Sequence, residues 1–228
     1  LDIDCCRNVR VIGCNISSGD DALCLKSTAD RPCENVVISD CVLSSACNGF
    51  KLGTETNGGF KNITFSNCAM YDVNLGGITL LIVDGGTLDG VTVSNVTMKN
   101  VETPIFLRLG NRARPFKDKM SAPGVGRLRN VVISNVVATG CDRTGSSIVG
   151  LPDHLIENVT LSNIHLTCEG GAHASQIPGE VPEKPADYPE FNMFGILPAY
   201  GFYCRHVDGL TLRDVAVRFD KPDRRPAL

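Results

Sequence analysis

Apolar and polar residues alternate in a short block that recurs along the whole chain. The block reads Arg7-Asn8-Val9-Arg10-Val11-Ile12-Gly13-Cys14, then Glu34-Asn35-Val36-Val37-Ile38-Ser39-Asp40-Cys41, then Lys61-Asn62-Ile63-Thr64-Phe65-Ser66-Asn67-Cys68. Further copies are anchored at Gly90, Asn130, Asn158 and Gly209. From Asn8 onward the anchors are spaced by 27, 27, 28, 40, 28 and 51 residues. Self-similarity at about 20 to 50 residues marks a stacked-repeat architecture, because one repeat cannot bury its apolar face alone.

Positions inside the block choose among such folds. One residue after the anchor is always Val, Ile or Leu. Three after it come Val11, Ile38, Phe65, Val93, Ile133, Leu161 and Leu212. This period of two is that of a strand with one buried face. Five after the anchor stand Gly13, Asp40, Asn67, Asn95, Asn135, Asn163 and Asp214, residue types that tolerate a left-handed bend. Six and eight after it the apolar pattern resumes, from Cys14 and Ile16 to Val215 and Val217. Strand, bend, strand, with no period near 3.6, predicts an all-β chain. The expected fold is a right-handed parallel β-helix of about seven coils, one domain over residues 1–228, with coils ~4.8 Å apart.

Two insertions interrupt the repeat. Residues 110–127 are basic and contain Pro and Gly; residues 169–200 are proline-rich and carry Tyr188, Phe191, Phe194 and Tyr200. Loops this long on a solenoid line a binding face.

A net charge of −3 gives no electrostatic case for a nucleic-acid or anionic-membrane partner, and no apolar run is long enough to span a bilayer. The chain opens on the strand-like Leu1-Asp2-Ile3-Asp4 without Met or signal peptide, and upstream residues are expected. An open β-helix end would expose strand edges able to pair with a second copy. None of the eleven cysteines forms a Cys-x-x-Cys pair, and no His sits at finger spacing, which argues against zinc. Disulfides of an exported protein and buried packing thiols both remain open. Cys14, Cys41 and Cys68 fall in one inward column, as packing units do, and a disulfide within that column would leave its third member unpaired. The Asn-x-Ser/Thr triplets at Asn15, Asn62, Asn95 and Asn158 match a glycosylation sequon, but three of them follow from the repeat itself.

The candidate chemistry lies in Ser18-Gly19-Asp20-Asp21-Ala22. Gly and Asp also build tight turns, but two adjacent carboxyls repel as anions, so one keeps its proton to higher pH and can act as an acid. Glu55 is a further cleft carboxylate or a solvated turn residue. Lys26 tunes the Asp pair, binds an anionic group, or is an ordinary surface lysine. Arg108 and Arg112 form a carboxylate clamp or internal salt bridges. Glu190, Tyr200 and Arg205-His206 belong to the second loop or its return, where aromatic rings can stack on a ligand or pin the loop.

The run from Asp2-Ile3-Asp4 through Ser18-Gly19-Asp20-Asp21, Cys33-Glu34-Asn35-Val36 and Lys51-Leu52-Gly53-Thr54-Glu55 resembles glycoside hydrolase family 28, the polygalacturonases and rhamnogalacturonan hydrolases. Pro104 to Gly110, Tyr188-Pro189-Glu190, Tyr200-Gly201 and Arg205-His206-Val207 look like its bacterial members. The resemblance implies a right-handed parallel β-helix, hydrolysis of glycosidic bonds with inversion, a pectic substrate, no cofactor, and a secreted or periplasmic location. It makes Asp20 the general acid and Asp21 an activator of water. The candidates for the substrate side, weighed residue by residue, are Asn48, Glu55, Lys26, Arg108, Arg112, Glu190 and Tyr200. There are departures. The family's further catalytic Asp would fall just before Leu1. Asn48 stands where its Gly-His-Gly has His, and Thr79-Leu80-Leu81 stands where it has Arg-Ile-Lys. Loss of those cations favours a neutral or mixed backbone over polygalacturonate. The rival reading is a non-catalytic carbohydrate-binding or self-assembling β-helix. A calcium-dependent lyase, the third option, wants a larger carboxylate cluster.

Overall fold

The computed structural model describes residues 1–177 and 179–228; Pro178, inside the expected second loop, lies outside the described residues. The strands are β1 (Asp2–Asp4), β2 (Arg7–Ile12), β3 (Asn15–Ser18), β4 (Leu23–Ser27), β5 (Cys33–Ser39), β6 (Val42–Ser45) and β7 (Phe50–Thr56). They continue as β8 (Phe60–Ile82), β9 (Thr87–Leu109), β10 (Arg127–Cys141), β11 (Ser146–Val149), β12 (Ile156–Gly170), β13 (Phe202–Arg205) and β14 (Val207–Lys221). Every strand pairing is parallel, and each joins one coil to the next. The chain is a right-handed parallel β-helix, the hand that parallel crossovers take. The seven repeat blocks form one face, running from β2 and β5 through β8, β9, β10 and β12 to β14.

Register follows the repeat. Val11, Ile38, Phe65, Val93, Ile133, Leu161 and Leu212 are Cα partners from coil to coil. They and the apolar residues two positions before them fill the interior, where the rings of Phe50 and Phe65 stack at 4.3 Å. Cys41 and Cys68 are buried in the inward column and Cys14 is partly so; all eleven cysteines are thiols. Burial pushes the Cys68 thiol up to about 11, which keeps it protonated and inert.

Two bends per block have positive φ. One is the expected position, with Asn67 at 55° and Asn95 at 57°; the other is the anchor, with Asn8 at 60° and Asn35 at 55°. Stacked Asn side chains join successive coils there: Asn35 donates to Asn8 at 3.0 Å, Asn62 to Asn35 at 2.9 Å, and Asn95 to Asn67 at 2.9 Å. The anchor Asn therefore turns the chain as well as starting the strand.

The first insertion occupies 110–126, since β10 already begins at Arg127. The second includes two short 3-10 turns, Ala174–Gln176 and Phe191–Phe194. Arg108 fastens this second loop from beneath.

Candidate active site

Asp20 and Asp21 lie in the turn between β3 and β4. Asp21 Oδ1 accepts the Asn48 backbone N–H at 3.1 Å and its side-chain Nδ2 at 2.8 Å, and Oδ2 pairs with Lys51 Nζ at 2.9 Å. Burial alone would raise this carboxyl, but the Lys51 charge and the Asn48 hydrogen bonds outweigh it and hold it below its ordinary 3.8. Asp20 is exposed at the lip. Its Oδ1 accepts the Asp21 backbone N–H at 2.8 Å, and its carbonyl accepts the Ser45 hydroxyl at 2.6 Å.

Asn48 is fully buried between β6 and β7. Its Oδ1 accepts Gly76 N–H at 3.0 Å and Thr79 Oγ1–H at 2.8 Å, so the amide is locked with its donors toward Asp21. A Cβ at Gly76 would meet Thr79 Oγ1 at 2.0 Å and Asn48 Oδ1 at 2.9 Å, so only glycine lets the backbone come close enough to make this bond. Asn48, expected to bind substrate, has no surface to offer one and instead positions Asp21.

Lys51 points outward from β7, yet its side chain is only 4% exposed. The second loop covers it: Glu190 Oε1 lies 3.6 Å from Nζ, and the Tyr188 ring centroid 5.9 Å away. Glu190 Oε2 is buried without a hydrogen-bond partner. Burial raises the Glu190 carboxyl above its ordinary 4.5, against the pull of Lys51 and helped by the negative charge of Asp21. Tyr188 stays 52% exposed, and Thr54 Oγ1 donates to its hydroxyl at 2.9 Å. Arg112 Cζ lies 5.8 Å from the same ring, bound to the buried Asp84 through Nε at 3.0 Å and through Nη2, with Glu55 Oε1 at 3.6 Å.

The structure thus links Asp20, Asp21, Asn48 and Glu190 through Lys51 and the Asp pair, with Arg112 and Glu55 beyond the Tyr188 ring, whereas three other expected site residues are engaged in internal contacts. Arg108, expected as half of a clamp, is buried; its guanidinium donates to the carbonyls of Gly150 at 3.0 Å, Glu183 at 2.7 Å and Lys184 at 3.1 Å. At 1% exposure this cation is out of reach of a uronate. Tyr200 sets its ring edge against Phe219 at 5.1 Å, so it braces the loop's return. Lys26 pairs with Asp2 at 2.8 Å on the strand beside Glu55. Sequence reasoning missed Lys51, Asp84 and the individual weight of Tyr188. Register held a clue to the first: Lys51 is the Cα partner of Thr79, so a cation stands one coil before the Thr79-Leu80-Leu81 that replaces the expected basic motif.

Asp20, Asp21 and Cys47 each bring a ligand atom within 4.8 Å of the others. The Lys51 ammonium on Asp21 already supplies the positive charge that a metal would bring.

A parallel β-helix with carboxylates gathered under a loop on one flank has the form of a polysaccharide-processing enzyme. The family model for glycosyl hydrolases family 28 matches residues 1–184, and the chain belongs to that family of pectin-directed glycosidases. A search of curated proteins gives no significant match. Among the described residues no helix is long and apolar enough to cross a membrane.

Proposed function

We propose that the chain hydrolyses glycosidic bonds in a pectic polysaccharide by acid–base catalysis centred on Asp20 and Asp21. One observation carries this reading: Asp21 is a carboxylate kept ionised by Lys51 and Asn48 beside the exposed Asp20. An anion so held can take a proton from water as the water oxygen attacks the sugar carbon. The resemblance makes Asp20 the acid. The exposed Tyr188 ring is a platform for a sugar face, with Arg112 and Glu55 beside it. The buried cations are already paired with acids, which supports a neutral or mixed backbone, such as one containing rhamnose, over a purely uronic one. Action on an extracellular polymer would make the protein secreted or periplasmic.

The test is reducing-sugar release from polygalacturonate and rhamnogalacturonan by the wild type beside Asp21→Asn and Asp20→Asn. Asp21→Asn is expected to lose about 10²-fold or more in kcat, the usual weight of a catalytic base. Wild type that releases nothing from any backbone would leave the rival, a carbohydrate-binding β-helix.

A further inference from the structure

We infer that the second loop makes the enzyme work from a chain end: it roofs the strand face beside the Asp pair, and Tyr188 at the roof's edge takes the terminal sugar. The inference rests on the hydrolase reading above. Strands β1, β4 and β7, the last parts of β8 and β9, then β11 and β13 pair in that order and form one face. On it Ile78, Leu80, Ile105, Leu107 and Ile148 point into the core, so Thr79, Leu81, Phe106, Ser147 and Val149 beside them point out. Outward side chains of a bare solenoid meet solvent, yet each of these five is at most 1% exposed. The second loop covers them. Phe191 clusters with Leu81 and Phe106, with Met193 against them, and Val181, Phe194 and Leu197 cluster with Val149. The roof ends on β7, where Glu190 lies over Lys51 and Thr54 holds the Tyr188 hydroxyl. Past that edge, on β4 and β1, Lys26 and Asp2 reach solvent, with side chains 30% and 54% exposed.

The place of the roof sets what can bind. Asp20 and Asp21 precede β4, one coil before β7, and coils are ~4.8 Å apart. A polymer lying along this face has room for about one sugar unit between the pair and the roof, and continues only toward β1. The roof is fastened rather than free to lift. Lys184 Nζ donates to Met193 O at 2.6 Å across the loop, and Asn111 N–H donates to Pro185 O at 2.6 Å from the first loop. Arg108 holds Glu183 and Lys184. Tyr188 is the part of the edge that a sugar can reach. Its ring is exposed, with Lys51 at 5.9 Å and Arg112 at 5.8 Å from the centroid. A ring so held offers an apolar face to the sugar that ends the chain. Each event adds one water across the bond joining that sugar to the next. The hydroxyl goes to the anomeric carbon and the proton to the departing oxygen.

The lengths of the first products test this. Decasaccharides of rhamnogalacturonan and of polygalacturonate are digested by the wild type and sampled early by chromatography. The expected products are a monosaccharide and the chain one unit shorter. Solutions of the full polymers should lose little viscosity while reducing ends accumulate. A spread of middle-length products with rapid loss of viscosity overturns the inference and leaves the hydrolase reading standing. A second measurement uses Tyr188→Ala, at an exposed position that leaves the apolar anchors of the roof in place. It is expected to raise KM about three- to tenfold, the weight of one aromatic contact, with kcat nearly unchanged. The rise should be equal for tetrasaccharides and decasaccharides, because the terminal sugar meets Tyr188 whatever the chain's length. An unchanged KM in a variant that melts like the wild type overturns Tyr188 as the terminal contact. If the wild type releases no sugar from any backbone, the hydrolase reading fails and takes the inference with it.

Discussion

A fully buried asparagine joins Lys51 in setting how the principal carboxylate behaves. Asn48 gives Asp21 two donors and is itself fixed by Gly76 and Thr79. Asn48→Ala would strand the Thr79 hydroxyl and the Gly76 N–H in the interior, at a cost of about 2–3 kcal/mol in urea denaturation. The same variant should move the acid limb of activity. In the native protein Asp21 is depressed, so its anion persists above 3.8 and is lost only as pH falls through a lower value. Without the side-chain donor its pKa rises, and activity should fail at higher pH in a pH–rate profile. Glu190 has the opposite sign: its raised carboxyl favours the fold while protonated, and that contribution fades as pH climbs from 4.5 through its native value. The Asp pair was legible because Gly-Asp-Asp interrupts the repeat with acids. Lys51 was not, because an outward lysine on a strand looks like any solvated one until a loop far along the chain covers it. Arg108 misled for the reverse reason: a loop-edge arginine looked free, and only the fold shows which carbonyls surround it.

Between coils, the repeat is held by side-chain amides as well as by strand pairing. Asn95 sits mid-ladder, donating to Asn67 and accepting from Asn135, both at 2.9 Å, with φ of 57°. Asn95→Gly keeps the bend and loses the amides. Asn95→Ala loses the amides and also forces a β-carbon into a left-handed conformation, about 1 kcal/mol more. Thermal unfolding should therefore rank wild type above Asn95→Gly, and Asn95→Gly above Asn95→Ala. The bend five residues after each anchor could be read from Asn, Asp and Gly alone. The anchor's own bend could not, since an Asn that opens an alternating stretch reads simply as its polar first position.

For the molecule as a whole, the second loop must be held down at more than one point for Glu190 to lie against Lys51. Arg108 holds it at Glu183 and Lys184. At the return, the buried Arg225 donates to Leu197 O at 2.9 Å and Arg143 O at 2.6 Å, and pairs with Asp223 at 2.8 Å. Hydrogen bonds from Arg225 depress the Asp223 carboxyl from 3.8 to about 2, against a smaller effect of burial. Its contribution is complete above 3.8 and disappears as pH falls through about 2. Arg225→Ala, which leaves a buried carboxylate unpaired, should cost about 3–5 kcal/mol in equilibrium denaturation at pH 7. The number of coils and the position of the loops were legible because a solenoid writes its geometry in local sequence; what the loops cover was not, because that depends on contacts between distant residues. Among the described residues, the amide ladders all point one way, each nitrogen reaching back to the coil before: Asn100 to Asp72, Asn130 to Asp89, Asn135 to Asn95, Asn163 to Asn135. A carboxylate can receive in such a relay but cannot pass it on, and Asp72 and Asp89 stand at the first rung of theirs. Slow chemical ageing of the protein inherits this direction. Deamidation of Asn67, the first rung of its own ladder, leaves an oxygen where an oxygen was needed, whereas the same lesion at Asn135 turns a donor into an acceptor and sets two oxygens against each other.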